Sequence, residues 1–333
     1  MTHELKRIVQ EFENRKEQAV LATVVALDGS SYRRPGVRML IFKNGDMVGA
    51  VSGGCVEKEV LFQAESVFNT GTPKVMEYDG RYRLGCEGIL YILLEPFAPE
   101  QHFLEQFWAC IEKRRPFRTL SYFKKEYGEN QHFHTAFLFN GEPIPVSGYE
   151  KGIVADVSVF EQQMTPCFQL LIIGSEHDAV QLCQYASLTG WEVTVVANPR
   201  DDKKEKDFPG IHKLVLSEAE SFQYSLDEQT AVVIMTHSFV KDLQFVMALK
   251  DEKGAYFGLL GPLKRREQLF DELLERCPDV SEAFLEQIHG PAGIDIGAET
   301  PQEISISILS EILSVVNQKQ PRPLKEKMGR IHS

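Results

Sequence analysis

Residues 170–198 read LLIIGSEHDAVQLCQYASLTGWEVTVVAN. The apolar run Leu170-Leu171-Ile172-Ile173 stops at Gly174, a stretch of helical character ends at Gly190, and a β-branched run follows at 193–197. Strand, helix and strand in immediate succession form a βαβ unit, whose crossover obliges the two strands to lie parallel. Residues 231–236 and 255–260 repeat the strand signal, each ahead of a helical pattern. The second half of the chain is therefore expected to be an α/β, doubly wound parallel sheet. Its last helix is marked by Thr300-Pro301-Gln302-Glu303, an N-cap Thr, a Pro at the first helical position and a Glu able to close a capping box. The apolar stripe that follows is Ile304, Ile308, Ile312 and Val315.

Parallel sheets meet their ligands at the carboxyl ends of the strands. There the chain has Gly174-Ser175-Glu176-His177-Asp178-Ala179, of which Gly174 and Ala179 fit a dinucleotide-binding turn. Glu176 stands where a second glycine would let a pyrophosphate approach the backbone, and Asn198 replaces the acidic residue that holds a ribose hydroxyl. The expectation is a dinucleotide-type fold without tight NAD(P) binding, with an NAD(P)-dependent oxidoreductase, or a partner-binding scaffold without ligand, as the rival functions. By position, Gly174, His177, His237 and Gly261 form a candidate second-domain ligand site. The segment 289–299 is dense in glycine, either as a ligand loop or as a shaped connector.

The first half begins with an amphipathic helix carrying Leu5, Ile8, Val9 and Phe12, then a strand at 19–27 and a polar loop at 28–36. Strands at 37–42 and 47–51 flank Lys43-Asn44-Gly45-Asp46, where Asn-Gly is expected to supply the positive φ angles of a tight hairpin. A helix starts behind Ser52-Gly53-Gly54-Cys55 and stops at Gly71 and Pro73. Strands at 75–78 and 89–94 follow, then a helix around Trp108 and short strands such as 119–123 and 135–139. The domains are read as 1–165, 166–318 and a polar tail, 319–333.

Cys55 is the first chemical candidate. A thiol at a helix start, behind glycines whose amides can converge, is favoured as thiolate and could ligate a soft metal. The alternative is a small buried residue on a strand-to-helix turn. Ser30, Ser31, Arg33, Arg34 and Arg38 form a donor set suited to a phosphate, or else a solvated basic turn. Glu57 and Glu59 suit the helix dipole but oppose a nearby thiolate. Cys86 sits on a Gly-flanked turn beside Glu87, whereas Cys110, Cys167, Cys183 and Cys277 lie in apolar contexts and read as core.

The whole chain narrows the classes further. It has 333 residues, 43% hydrophobic and 25% charged, which is globular composition for about two domains. A net charge of −12 disfavours nucleic acid. The charged opening segment fits neither a leader nor a membrane span, and the dispersed cysteines fit neither a disulfide framework nor a zinc ribbon, so a cytoplasmic protein is expected. The spacing of the cysteines also excludes iron-sulfur clusters.

Gly29-Ser30-Ser31, Arg33-Arg34-Pro35-Gly36, Arg38-Met39 and Ser52-Gly53-Gly54-Cys55-Val56-Glu57 resemble the N-terminal signature of the XdhC/CoxI family. Thr236-His237, Gly258-Leu259-Leu260-Gly261 with Arg265-Arg266, and the stretch from Gly290 through Ile304 resemble its C-terminal, Rossmann-like half. The resemblance implies an accessory factor of xanthine dehydrogenase maturation and not the redox enzyme itself. Such a factor binds molybdenum cofactor (molybdopterin) as cargo, supports its sulfuration and delivers it to an apo molybdenum hydroxylase, with a cysteine desulfurase as a further partner. It also implies that Cys55 belongs to the cofactor site; joined to the reading of the residues, Ser52, Gly53 and Gly54 would belong to it too, with Arg33, Arg34 and Arg38 on the cofactor's phosphate and Cys55 as a candidate molybdenum ligand. A homodimer is the expected assembly. The chain departs from the family at Cys86-Glu87-Gly88, where a second Cys-Gly-Gly is common, and at Glu176 and Asn198.

Overall fold

The computed structural model of the chain describes residues 1–29, 34–52, 54–80, 88–147 and 157–327. Two compact units divide it, Met1–Pro166 and Cys167–Ser333. The first contains α1 (Thr2–Arg15), β1 (Ala19–Asp28), β2 (Arg38–Phe42), β3 (Met47–Gly49), α2 (Cys55–Thr70), β4 (Lys74–Asp79) and β5 (Ile89–Phe97). After these come α3 (Gln101–Glu112), β6 (Phe117–Phe123), β7 (Gly128–Glu129), β8 (His134–Phe139), β9 (Glu142–Pro145) and β10 (Ser158–Met164). One sheet has the order β3-β2-β1-β5-β4-β7 and a second β10-β6-β8-β9.

Strand β1 is central and apolar on both faces. Val20, Ala22 and Val24 pack with Val56, Val60, Ala64 and Val67 of α2. Ala19 and Leu21 pack instead with Leu5, Ile8 and Val9 of α1, Phe103 and Phe107 of α3, and Phe137 and Phe139 of the second sheet. The first sheet is thus a layer between α2 and everything else in its unit. Within the turn 43–46 of the β2–β3 hairpin only Gly45 takes a positive φ, 91°, which corrects the expectation that Asn44 shares it. Asn44 acts through its side chain, accepting the Asp46 N–H at 3.0 Å. Strand β10 escaped the sequence reading because its inward positions include the polar Gln162, so alternation there is weak.

Arg38 is a correction to the expected phosphate site. Met39 and Ile41 of β2 face α2, so by strand alternation Arg38 points to the opposite face, where it is 4% exposed. Its Nη1 donates to Gly36 O at 3.0 Å and to Gln162 Oε1 at 2.8 Å, and its Nη2 donates to Thr119 Oγ1 at 2.8 Å. Burial pushes its pKa down to about 10, opposed by attraction to Glu95 and Glu4, so it stays cationic at neutral pH. Gly36 has no room for a side chain, since a Cβ would stand 2.4 Å from Gln162 Nε2. The guanidinium therefore ties β2 to the second sheet and is withdrawn from any solvent-facing ligand.

The second unit comprises β11 (Gln169–Ile173), α4 (His177–Leu188), β12 (Glu192–Ala197), β13 (Lys213–Leu216), β14 (Thr230–Ile234), α5 (Phe239–Leu249) and β15 (Tyr256–Leu259). It ends with α6 (Leu263–Arg276), α7 (Glu282–Gln287), β16 (Ile288–His289) and α8 (Pro301–Val316). All strand pairs are parallel, in the order β13-β12-β11-β14-β15-β16, a Rossmann topology whose switch point lies between β11 and β14. Residues of α4 and α8 share a core on one face and those of α5, α6 and α7 share one on the other. At the start of α8, Thr300 Oγ1 accepts the Glu303 N–H while Glu303 Oε2 accepts the Thr300 N–H, the expected capping box.

The glycine-dense segment resolves as a packed connector. Glu311 of α8 accepts from Tyr256 Oη at 2.5 Å and from the Gly293 N–H at 2.7 Å, and meets His289 Nδ1 at 3.0 Å. A Cβ at Gly293 would stand 2.4 Å from Ser307 Oγ, so close packing on α8 requires glycine there. Burial works against the Glu311 carboxylate, but His289, Tyr256 and the Gly293 amide outweigh it and hold its pKa below the ordinary value.

Two outcomes follow. Arg38→Ala should cost about 3–5 kcal/mol, because it strips a buried charge from partners that cannot rehydrate. Urea unfolding followed at Trp108 in a Trp191→Phe background measures this, and a loss below about 1 kcal/mol would mark the tie as dispensable. For Glu311 the folded pKa is depressed, so its contribution is present above the ordinary carboxylate pKa and lost as pH falls through the depressed one. Wild type should accordingly lose more stability between neutral and acidic pH than Glu311→Gln, as read by thermal unfolding at each pH.

Candidate functional site

Three connections leave the first sheet at the same end. Asp28 at the end of β1 and Asp79 at the end of β4 both lie opposite Ile89 at the start of β5. Met39, near the start of β2, lies opposite Gly49 at the end of β3. The segments 29–37, 50–54 and 80–88 therefore emerge together. The last is closed at its base by the Gly80 N–H donating to Gly88 O at 3.0 Å.

The expected cofactor residues divide as follows. Ser30, Ser31, Arg33 and Gly53 lie outside the described residues, as does the turn with Cys86 and Glu87. Cys55 is the first residue of the sixteen-residue α2, so its backbone occupies a positive helix end, while its side chain lies outside what is described. Arg34 is exposed on the 29–37 connection, with no hydrogen-bond or ion-pair partner among the described residues. Arg38, on the face away from α2, is not among those brought together.

Glu57 organises the turn. Its carboxylate accepts the Ser52 N–H at 2.7 Å, the Ser52 hydroxyl at 2.9 Å and the Gly54 N–H at 2.8 Å. Gly54 needs its φ of 122° to turn into the helix. Burial opposes the charged form of Glu57, yet these donors prevail and hold its pKa below the usual value. The carboxylate thus stays charged while it holds the turn. The spacing from Gly54 to Glu57 is that of an N-cap and its N3 partner, a signal legible in the sequence.

In the second unit a cleft of about 270 Å³ opens at the carboxyl ends of β11, β12 and β14. Of the four expected residues only Gly174 lines it. A Cβ there would stand 2.4 Å from Met235 O, so the neighbouring strand already demands glycine. His177 is exposed at the start of α4. His237 takes a left-handed φ of 57°, its Nε2 3.5 Å from Asp178 Oδ2. The turn carrying it is held by buried Asp242, which accepts from the Thr236 hydroxyl at 2.5 Å and from Arg265 Nη2 at 2.6 Å. Gly261 lies apart from the cleft lining.

One cleft residue was missed from sequence. Asn198 accepts the Arg200 N–H at 2.9 Å and so caps the short 3-10 turn Pro199–Asp201. That turn carries the Asp201 carboxylate into the cleft, where Ser175 Oγ donates to it at 3.3 Å. A carboxylate thus enters the cleft three residues beyond Asn198.

The remaining cysteines match their expected roles. Cys110, Cys167, Cys183 and Cys277 are buried free thiols. Burial pushes Cys183 up to about 12, and Cys110 upward too, which keeps both protonated. Among the described residues no group of three or more acidic, His or Cys side chains could hold a metal ion, and no helix is long and apolar enough to cross a membrane.

Comparison with known proteins agrees with this architecture. A protein of Bacillus subtilis (strain 168), named as a probable subunit of xanthine dehydrogenase, is 28% identical over 90% of this chain and 93% of its own. A molybdenum cofactor insertion chaperone, PaoD, of Escherichia coli (strain K12) is 25% identical over 89% of this chain and 83% of its own. A crystal structure named as a xanthine dehydrogenase from Bacillus halodurans superposes with a TM-score of 0.78, covering 96% of this chain and 98% of that one. At 22% identity, it shows the shared fold. Residues 13–79 match the model described as XdhC and CoxI family and residues 170–312 the one described as XdhC Rossmann domain. With one model on each of its two units, the chain belongs to the XdhC/CoxI family.

Proposed function

We propose that this protein is an accessory factor that binds molybdenum cofactor as cargo, supports its sulfuration and delivers it to a xanthine dehydrogenase-type molybdenum hydroxylase. The observation that carries the reading is the near full-length similarity to a protein named as a molybdenum cofactor insertion chaperone. The arrangement at the end of the first sheet supports it. The cargo has a phosphate at one end and a soft metal at the other, and the site offers a matching pair of groups. Arg34, exposed and uncommitted among the described residues, would hold the phosphate together with Arg33 and the hydroxyls of Ser30 and Ser31. Cys55, at the start of α2, would approach the molybdenum as thiolate, a form that the amides of the first helical turn favour.

Glu57 acts on the cargo only through the turn. By engaging Ser52 and Gly54 it fixes where α2 begins, and with it the position of Cys55. A carrier must also release. One thiolate and an exposed arginine give a hold that a client enzyme with more ligands can displace, consistent with delivery to an apoenzyme. A cysteine desulfurase is the proposed sulfur source and a homodimer the proposed assembly.

The test is anaerobic loading of purified protein with molybdenum cofactor, followed by gel filtration and measurement of molybdenum and pterin in the protein peak. Wild type should retain both and Cys55→Ala neither. Arg34→Ala should weaken retention by about tenfold, the loss of one charge-assisted contact. Glu57→Ala should lose retention although Cys55 is intact, with a stability cost of about 1 kcal/mol. Absence of cofactor from wild type, or equal retention by wild type and Cys55→Ala, would defeat the proposal.

A further inference from the structure

The cleft of the second unit is built at the place where Rossmann folds bind dinucleotides, but its chemistry is different. Glu176 occupies the turn between β11 and α4, and its carboxylate has no partner among the described residues. Further round the rim, Glu218 pairs with Arg200 at 3.4 Å and Glu220 accepts from Gln244 at 2.8 Å, leaving Lys241 as the one cation among the described residues of the lining. A diphosphate at the amino end of α4 would share the cleft with the uncompensated Glu176 carboxylate. The volume, about 270 Å³, is also small beside the roughly 300–1,000 Å³ of ordinary ligand clefts.

The remaining features are receptive. Asp201, brought in on its capped turn, offers a carboxylate steadied by the buried Ser175 hydroxyl. A carboxylate with two acceptor oxygens suits a vicinal diol, each hydroxyl donating to it. Beside it the half-buried Ala219 and the edges of the buried Val196, Ala197 and Phe245 form a narrow apolar strip against which the edge of a base can rest.

We propose that this cleft binds a nucleoside that carries no phosphate, its ribose diol on Asp201 and the edge of its base against the apolar strip, and that Glu176 rejects the corresponding nucleotides. The inference stands on the second unit alone, so its failure leaves the cargo proposal untouched, and the converse also holds.

Calorimetric titration of the full-length protein tests it, using adenosine, guanosine, cytidine and uridine against their 5′-diphosphates and NAD. At least one nucleoside should bind, with its diphosphate and NAD at least about tenfold weaker. The 2′,3′-dideoxy form of that nucleoside and the Asp201→Asn variant should each lose about tenfold. Glu176→Gln should leave nucleoside binding unchanged and strengthen diphosphate binding by a similar factor, and because Glu176 makes no side-chain cap, α4 should be unaffected by it. Nucleotides binding as well as nucleosides, nothing binding at millimolar concentration, or indifference to the missing diol would each overturn the proposal.

Discussion

Strand β1 is buried on both faces, and the first unit is arranged around that constraint. A strand with one wet face can slip by two residues at modest cost, but here any slip would displace side chains packed in two separate cores. Its register against β2 and β5 is thereby set. Because β3 and β4 are fixed in turn on those neighbours, three connections are delivered to one end of the sheet. The candidate cargo site is a consequence of sheet register before it is a consequence of any single side chain.

Two buried charges serve this arrangement differently. Arg38 lies between the sheets, where its two terminal nitrogens are bound by Gly36, Gln162 and Thr119 and it faces the field of Glu95, itself bonded to Thr135. Such groups cost desolvation energy and yield specificity of pairing, since a wrongly docked second sheet would leave them unpaired. Glu57 works at shorter range. It gathers the amides of a turn that would otherwise be free to choose among conformations, and so converts a glycine-rich segment into a defined entry to α2.

The second unit separates fold from chemistry. Its strand order and its strand-turn-helix opening are those of a dinucleotide-binding domain, yet the turn holds a glutamate and the glycine before it is required by the carbonyl of Met235. The same scaffold therefore presents a cleft of different charge, in keeping with the rule that function resides in the site and not in the architecture. Neighbouring loops on that edge are held by Asp242 and Glu311, each satisfied by several donors.

The amino-acid sequence by itself determined the elements with strong local signals: the amphipathic α1, the hairpin at Gly45, the βαβ succession at 170–197 and the capped start of α8. These depend on interactions within a few residues, which is why periodicity and capping patterns expose them. It also determined which residues could bear chemistry, Cys55 and Arg34 among them, because side-chain type is local information. Only the tertiary structure decided how they were to be used. Arg38 reads as one more member of a basic donor set for a phosphate, but the alternation of β2 turns it to the buried face. Asp201 reads as part of a charged run, and only the turn capped by Asn198 brings it to Ser175. Partners such as Gln162 and Arg38 are 124 residues apart in the chain, and the energy that pairs them comes from burying two sheets together, a term that no window of sequence contains.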